Sequence, residues 1–184
     1  MVLPIYAYGH PVLKKVAKDI TSDYDGLEQL IADMWETMEN ANGVGLAAPQ
    51  IGRNIRLFLI DSGPMFDEGE EHKGVKMTII NAEILEETGK DVSYSEGCLS
   101  IPDITGDVER PETITMKWLD ENFKPHEATF TDMNARVIQH EYDHIEGILF
   151  TEHLKPLKKR MVKRKLEKIK KGDTDAKYRM KFVK

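Results

Sequence analysis

Apolar positions along the chain switch between helical and strand periods. Leu27, Leu30, Ile31, Met34 and Met38 recur three and four apart, which predicts a helix capped near Thr21-Ser22-Asp23 and ending near Asn42-Gly43. GVGLAAPQIG (43–52) is too rich in Gly and Pro for a regular helix. Residues 55–61 and 77–80 read as strands separated by a polar loop. In 113–119, Ile114, Met116 and Trp118 alternate with Thr113, Thr115 and Lys117, as in a half-buried strand. Glu121-Asn122 predicts a tight turn into a returning strand at 127–130. A helix should then run from Thr131 or Asp132 to Gly147, with a last helix after Pro156. Its apolar stripe would be Leu157, Met161, Val162, Leu166 and Ile169. The strands lie too close in sequence for helical crossovers, so the sheet should be antiparallel. The fold class is α+β: mainly antiparallel β-sheets around a central helix, with a C-terminal basic helix.

Composition narrows the setting. With 184 residues, 40% hydrophobic and 32% charged, the chain suits one soluble globular domain. No apolar run approaches a membrane span, and the first residues make a poor secretion signal. The single cysteine, Cys98, cannot form an internal disulfide, which fits a cytoplasmic location. The net charge of −6 hides an asymmetry: residues 155–184 carry 14 Lys or Arg against 3 Asp or Glu, so the tail is basic and the body acidic. A basic tail stays solvated or meets a polyanion.

The central helix carries the chemistry. His140 and His144 are four apart and share one helical face, with Glu141 beside them as a candidate base. Val137 and Met133 continue that face as an apolar surface. An open catalytic site takes three protein ligands and leaves one position for water. Cys98, in EGCLSIP (96–102), is the candidate third ligand, although a lone cysteine is more often a small buried apolar residue. His10, His72, His126 and His153 receive no role.

GVGLAAPQIG (43–52), EGCLSIP (96–102) and QHEYDHIEGILF (139–150), with GHPVL (9–13) ahead of them, resemble in order and spacing the motifs of the peptide deformylases. That resemblance implies a metallohydrolase removing the N-formyl group of formylmethionine from nascent polypeptides. It implies a catalytic domain over 1–155, with 156–184 a basic helix and tail belonging to it. Cys98, His140 and His144 would hold one divalent metal ion, Fe²⁺ in the cell, with Zn²⁺, Ni²⁺ or Co²⁺ as substitutes. Glu141 would be general base and acid, and the Gln50 amide and Leu99 N–H would be oxyanion donors. Gly45 would let the substrate backbone pass, and Val44, Met133 and Val137 would wall the methionine pocket. Glu96 and Arg110 would pair behind Cys98. Thr105 departs from the family's frequent Arg near that position, which bears on one peptide contact. The basic helix would reach the ribosome; no membrane or specific DNA partner is implied.

Two rivals remain. A zinc endopeptidase would explain His140-Glu141-x-x-His144-x-x-Gly147, but Phe150 stands where a third histidine is needed and Glu167 lies in the Lys-rich helix. A metal-stapled nucleic-acid-binding module would explain the tail but neither glycine-flanked motif.

Overall fold

A computed structural model describes residues 1–184. Ten regular elements follow one another: β1 (Ile5–Tyr6), α1 (Leu27–Asn40), β2 (Gly45–Ala47), β3 (Leu57–Asp61), β4 (Lys76–Cys98), β5 (Ile101–Leu119), β6 (Pro125–Thr131), α2 (Asp132–Ile145), α3 (Pro156–Lys170) and β7 (Met180–Lys181). Strands β2 to β6 form one antiparallel sheet in sequence order. The fold is α+β, as the strand spacing predicts. No helix is long and apolar enough to cross a membrane.

β3 is apolar on both faces because both are covered. Phe58 and Ile60 point into a core shared with Val137, Ile138 and Ile145 of α2. Leu57 and Leu59 point into another, with Leu30, Ile31, Met34 and Met38 of α1. The sheet is thus sandwiched at β3 between α1 and α2, and this fixes α2 against one face of the sheet. Burial of these side chains is the main driving force for that arrangement.

Several boundaries differ from the sequence expectation. α1 begins at Leu27, not near Thr21, because 21–27 form successive turns through Tyr24 N–H to Thr21 C=O and Leu27 N–H to Tyr24 C=O. β4 and β5 reach far beyond the short strands expected, pairing from Ile80↔Leu119 to Cys98↔Ile101 with bulges between. Residues 83–95 are largely exposed, so hydrophobic alternation is weak there and the partner strand supplies the order. The turn after β5 is built by Asp120, whose carboxylate accepts from the N–H groups of Asn122 (2.9 Å) and Lys124 (3.0 Å).

α3 corrects its predicted stripe. Val162, Leu166 and Ile169 are buried against Leu13, Ile101 and Phe150, whereas Leu157 and Met161 are 70% and 64% exposed. At 100° per residue, Leu157 and Met161 project about 100° or more away from the centre of the buried trio. After α3 the chain returns, and β7 pairs in parallel with β1. No sequence pattern announced that two-residue ladder.

Candidate metal centre

α2 presents the two histidines because its boundaries are well defined. Thr131 occupies the N-cap position, without a side-chain cap bond. At the other end Arg56 donates to Ile145 C=O (3.3 Å) and Glu146 Oε1 (2.8 Å), placing positive charge where helical carbonyls are unpaired. Gly147 turns the chain at φ +74°, where a Cβ would meet Lys14 O at 2.7 Å. Cys98 comes from a different layer, at the end of β4.

The folded chain brings Cys98, His140 and His144 together, with their ligand atoms all within 4.8 Å of one another. Cys98 Sγ lies 3.4 Å from His144 Nε2. A thiolate and an imidazole on one tetrahedral ion, with bonds near 2.3 and 2.1 Å, would stand about 3.6 Å apart, so the gap suits one shared cation. His140 turns its Nδ1 to Glu96 Oε1 at 2.8 Å, leaving Nε2 for the centre. Glu141 Oε2 is buried with no protein partner, as an acceptor awaiting water is. The donor set fits a divalent metal.

Charge is arranged around these donors. Burial pushes the Glu141 carboxyl up to about 7, against the pull of His140. Burial, with His140 and Arg110 next, holds His144 well below the usual imidazole value, so it stays neutral. For Glu96 burial favours the neutral form, but bonds from His140 and Arg110 outweigh it and hold the carboxyl far below the ordinary range. Glu96 Oε2 accepts from Arg110 Nε and Arg136 Nη1, each at 2.7 Å. Arg110 also reaches Asp143 (2.9 Å), which contacts His153 Nε2 (2.8 Å). The Glu96–Arg110 contact therefore belongs to a larger buried network. Arg136, Asp143 and His153 were missed by sequence reasoning; Arg136, one turn before His140 on α2, carried a usable signal.

The other expected residues divide. A cleft of about 660 Å³ opens over the donors, lined among others by Val44, Gly45, Gln50, Leu99, Val137 and Glu141. Met133 is not there; it lines a separate hollow beside Gln139 and Glu112. Seven residues along a helix is about 10 Å of rise, so sharing a face with His140 does not bring Met133 to the same cavity. Met65, from the polar loop, lines the cleft instead. Gly45 has a use beyond substrate access: a Cβ there would meet Glu141 Oε1 at 2.5 Å, so its bare backbone makes room for that carboxylate. Gln50 Oε1 accepts from Ala47 N–H (3.0 Å), which turns Nε2 toward Ser100 Oγ (3.1 Å) and Cys98 Sγ (3.5 Å). Phe150 is buried 6.1 Å from the His140 ring, and Glu167 is exposed on α3, so neither completes an endopeptidase ligand set.

A central helix with two imidazoles and a buried carboxylate, facing a thiol from a sheet turn, defines a metal-dependent hydrolase. Comparison with known proteins narrows the class. The sequence model of the polypeptide deformylase family matches residues 2–160. Curated peptide deformylases from Christiangramia forsetii (53% identical, covering 99% of this chain and 96% of the relative) and Cytophaga hutchinsonii (54%, covering 99% and 98%) align along nearly the whole length. The crystal structure of a peptide deformylase from Legionella pneumophila superposes with a TM-score of 0.80 at 40% identity, over 93% of this chain and 96% of that one. One from Thermotoga maritima gives 0.76 at 36%, over 85% and 99%. The chain belongs to the peptide deformylase family, metallohydrolases that remove N-formyl groups from nascent peptides.

Proposed function

We propose that Cys98, His140 and His144 hold one divalent cation, Fe²⁺ in the cell with Zn²⁺, Ni²⁺ or Co²⁺ as substitutes, and that Glu141, Gln50 and Leu99 carry the deformylation of formylmethionyl peptides beside it. The convergence of those three donors under an unpartnered Glu141 oxygen carries this reading. A mixed soft and imidazole set suits several of these ions. A cation held there supplies Lewis acidity and lowers the pKa of a water toward neutrality.

The chain's own groups do the rest. Glu141 accepts a proton as water adds to the formyl carbon, and a carboxyl raised toward neutrality is matched to that task. Gln50 Nε2 and the Leu99 N–H donate to the formyl oxygen as it gains charge. Glu141 then returns the proton to the amide nitrogen, the C–N bond breaks, and formate leaves a free amine. Val44, Val137 and Met65 wall the pocket for the methionine side chain, and Gly45 borders the substrate backbone.

Residues 1–155 would form the catalytic domain, with 156–184 part of it, because the buried side of α3 packs into the same core. A cytoplasmic setting and a ribosome contact through the exposed basic face of α3 complete the reading. The test is formate release from formyl-Met-Ala-Ser by anaerobically metal-loaded enzyme. Wild type should release formate, Glu141→Ala should not, and casein should stay intact. Casein cleavage, or full activity in Glu141→Ala, would overturn it.

A further inference from the structure

The turn between β4 and β5 has an unequal hydrogen-bond account. Leu99 N–H has no acceptor anywhere in the protein, although Leu99 borders the cleft. The carbonyls that follow it are both held. Leu99 C=O accepts from Tyr178 Oη at 2.7 Å, and Ser100 C=O accepts from Tyr8 N–H at 2.9 Å. Ser100 Oγ is held as well, by Gln50 Nε2 at 3.1 Å. The Ser100 N–H is also without an acceptor, but Ser100 does not line the cleft, so the Leu99 N–H is the free donor of this turn that borders it.

The two outside contacts come from one device. Tyr8 follows β1 and Tyr178 precedes β7, and these strands pair through Ile5 N–H to Arg179 C=O and Ala7 N–H to Lys181 C=O, both 2.9 Å. The chain's two end segments thus brace the metal-side turn, with Tyr178 itself part of the cleft lining. Cys98, anchored in β4, fixes the backbone before Leu99, and the brace fixes the dihedrals after it. Displacing the Leu99 Cα, from which the N–H hangs, would break the Tyr178 bond. Meanwhile Asp175, Ala176 and Lys177 reach the rim of the same cleft.

We propose that Tyr178 is a positioning residue for deformylation: its hydroxyl holds the Leu99 carbonyl and, through it, the Leu99 Cα, so that the free N–H on that Cα stays placed at the formyl oxygen. The inference rests on the reading of Leu99 N–H as an oxyanion donor. Removing an oxyanion donor outright costs about 10²–10³ in kcat, and loosening one that remains should cost less. A group that acts only on developing charge changes kcat and leaves KM alone.

The experiment uses the full-length zinc-loaded enzyme and Tyr178→Phe, which keeps the ring and removes one hydroxyl. With formyl-Met-Ala-Ser, kcat should fall about tenfold while KM stays within about twofold. Zinc content and hydrogen-exchange protection at Ile5 and Ala7 should match wild type, showing that the tail remains docked. In ¹H–¹⁵N spectra, saturating formate should move the Leu99 amide proton downfield in wild type and clearly less in the variant. Replacing the Tyr178 side chain by 4-aminophenylalanine, which restores a donor, should recover kcat; this arm decides the matter even if Tyr178→Phe loosens the tail. Unchanged kcat in Tyr178→Phe, a loss confined to KM, or failure of the amino analogue to rescue would overturn the positioning role. A wild-type Leu99 amide indifferent to formate would instead sink the oxyanion reading beneath it.

Discussion

Glu141 and Gly45 occupy one space between them. The missing side chain of Gly45 lets the Glu141 carboxylate lie against β2, so Gly45→Ala should push that carboxylate aside while leaving Cys98, His140 and His144 in place. Misplacing a reacting group by an ångström can cost about 10²-fold, so kcat should fall roughly 10–100-fold with metal content unchanged. Steady-state kinetics beside metal analysis checks this, and normal turnover would refute the packing argument. Cys98→Ala should do the reverse, with the metal lost on dialysis. Its affinity should drop by more than the roughly 10–100-fold that outer hydrogen bonds contribute. At this scale the helical pair and its neighbouring carboxylate were legible, because a four-residue spacing on a helix fixes relative position. Met65 and the second use of Gly45 were not, since both depend on contacts between segments distant in sequence. Met133 misled for the opposite reason: periodicity gives a direction around the helix but not a place along it.

Glu96 ties the elements together. One carboxylate at the end of β4 binds Arg110 of β5 and both Arg136 and His140 of α2, the two arginines buried and His140 partly so. Removing one member of a buried charge network typically costs about 3–5 kcal/mol, so Glu96→Ala should lose stability on that scale in urea unfolding. The contribution should also depend on pH. Because the folded carboxyl lies below its ordinary value of 4.5, its stabilisation is complete above that value. It is lost progressively as pH falls below 4.5 toward the folded pKa. Wild type should therefore weaken more steeply than Glu96→Gln between neutral and acid pH; parallel curves would show that Glu96 is not the titrating tie. Element order and the α+β class could be read from periodicity. The long reach of β4 and β5 could not, because exposed strand residues lack alternation and their order comes from the neighbouring strand.

Across the whole molecule, the acidic body and basic tail were visible in composition, but how the tail attaches was not. α3 sinks three apolar residues into the core and leaves Leu157 and Met161 among its lysines and arginines. Deleting the helix would strip the core as well as the charge. Lys159→Glu combined with Lys163→Glu is the cleaner change, since both side chains are exposed. Ribosome cosedimentation should weaken in that variant and, in wild type, fall steeply with added salt, as phosphate-dominated contacts do. Salt-independent binding equal in both proteins would remove α3 from the contact. The donor set has a wider consequence. Cys98 belongs to the sheet and His140 and His144 to the central helix, so one cation held there would fasten two layers that otherwise meet through side-chain packing and the Glu96 and Arg110 ion pairs. An ion that binds only the folded chain adds about 2.7 kcal/mol at a hundredfold excess over its Kd. A chelator should therefore lower the melting temperature as well as abolish turnover, and calorimetry with and without chelator measures the difference. In a cell short of metal, such a chain would be cleared by proteases sooner, so the amount of enzyme, and not only its activity, would follow the metal supply.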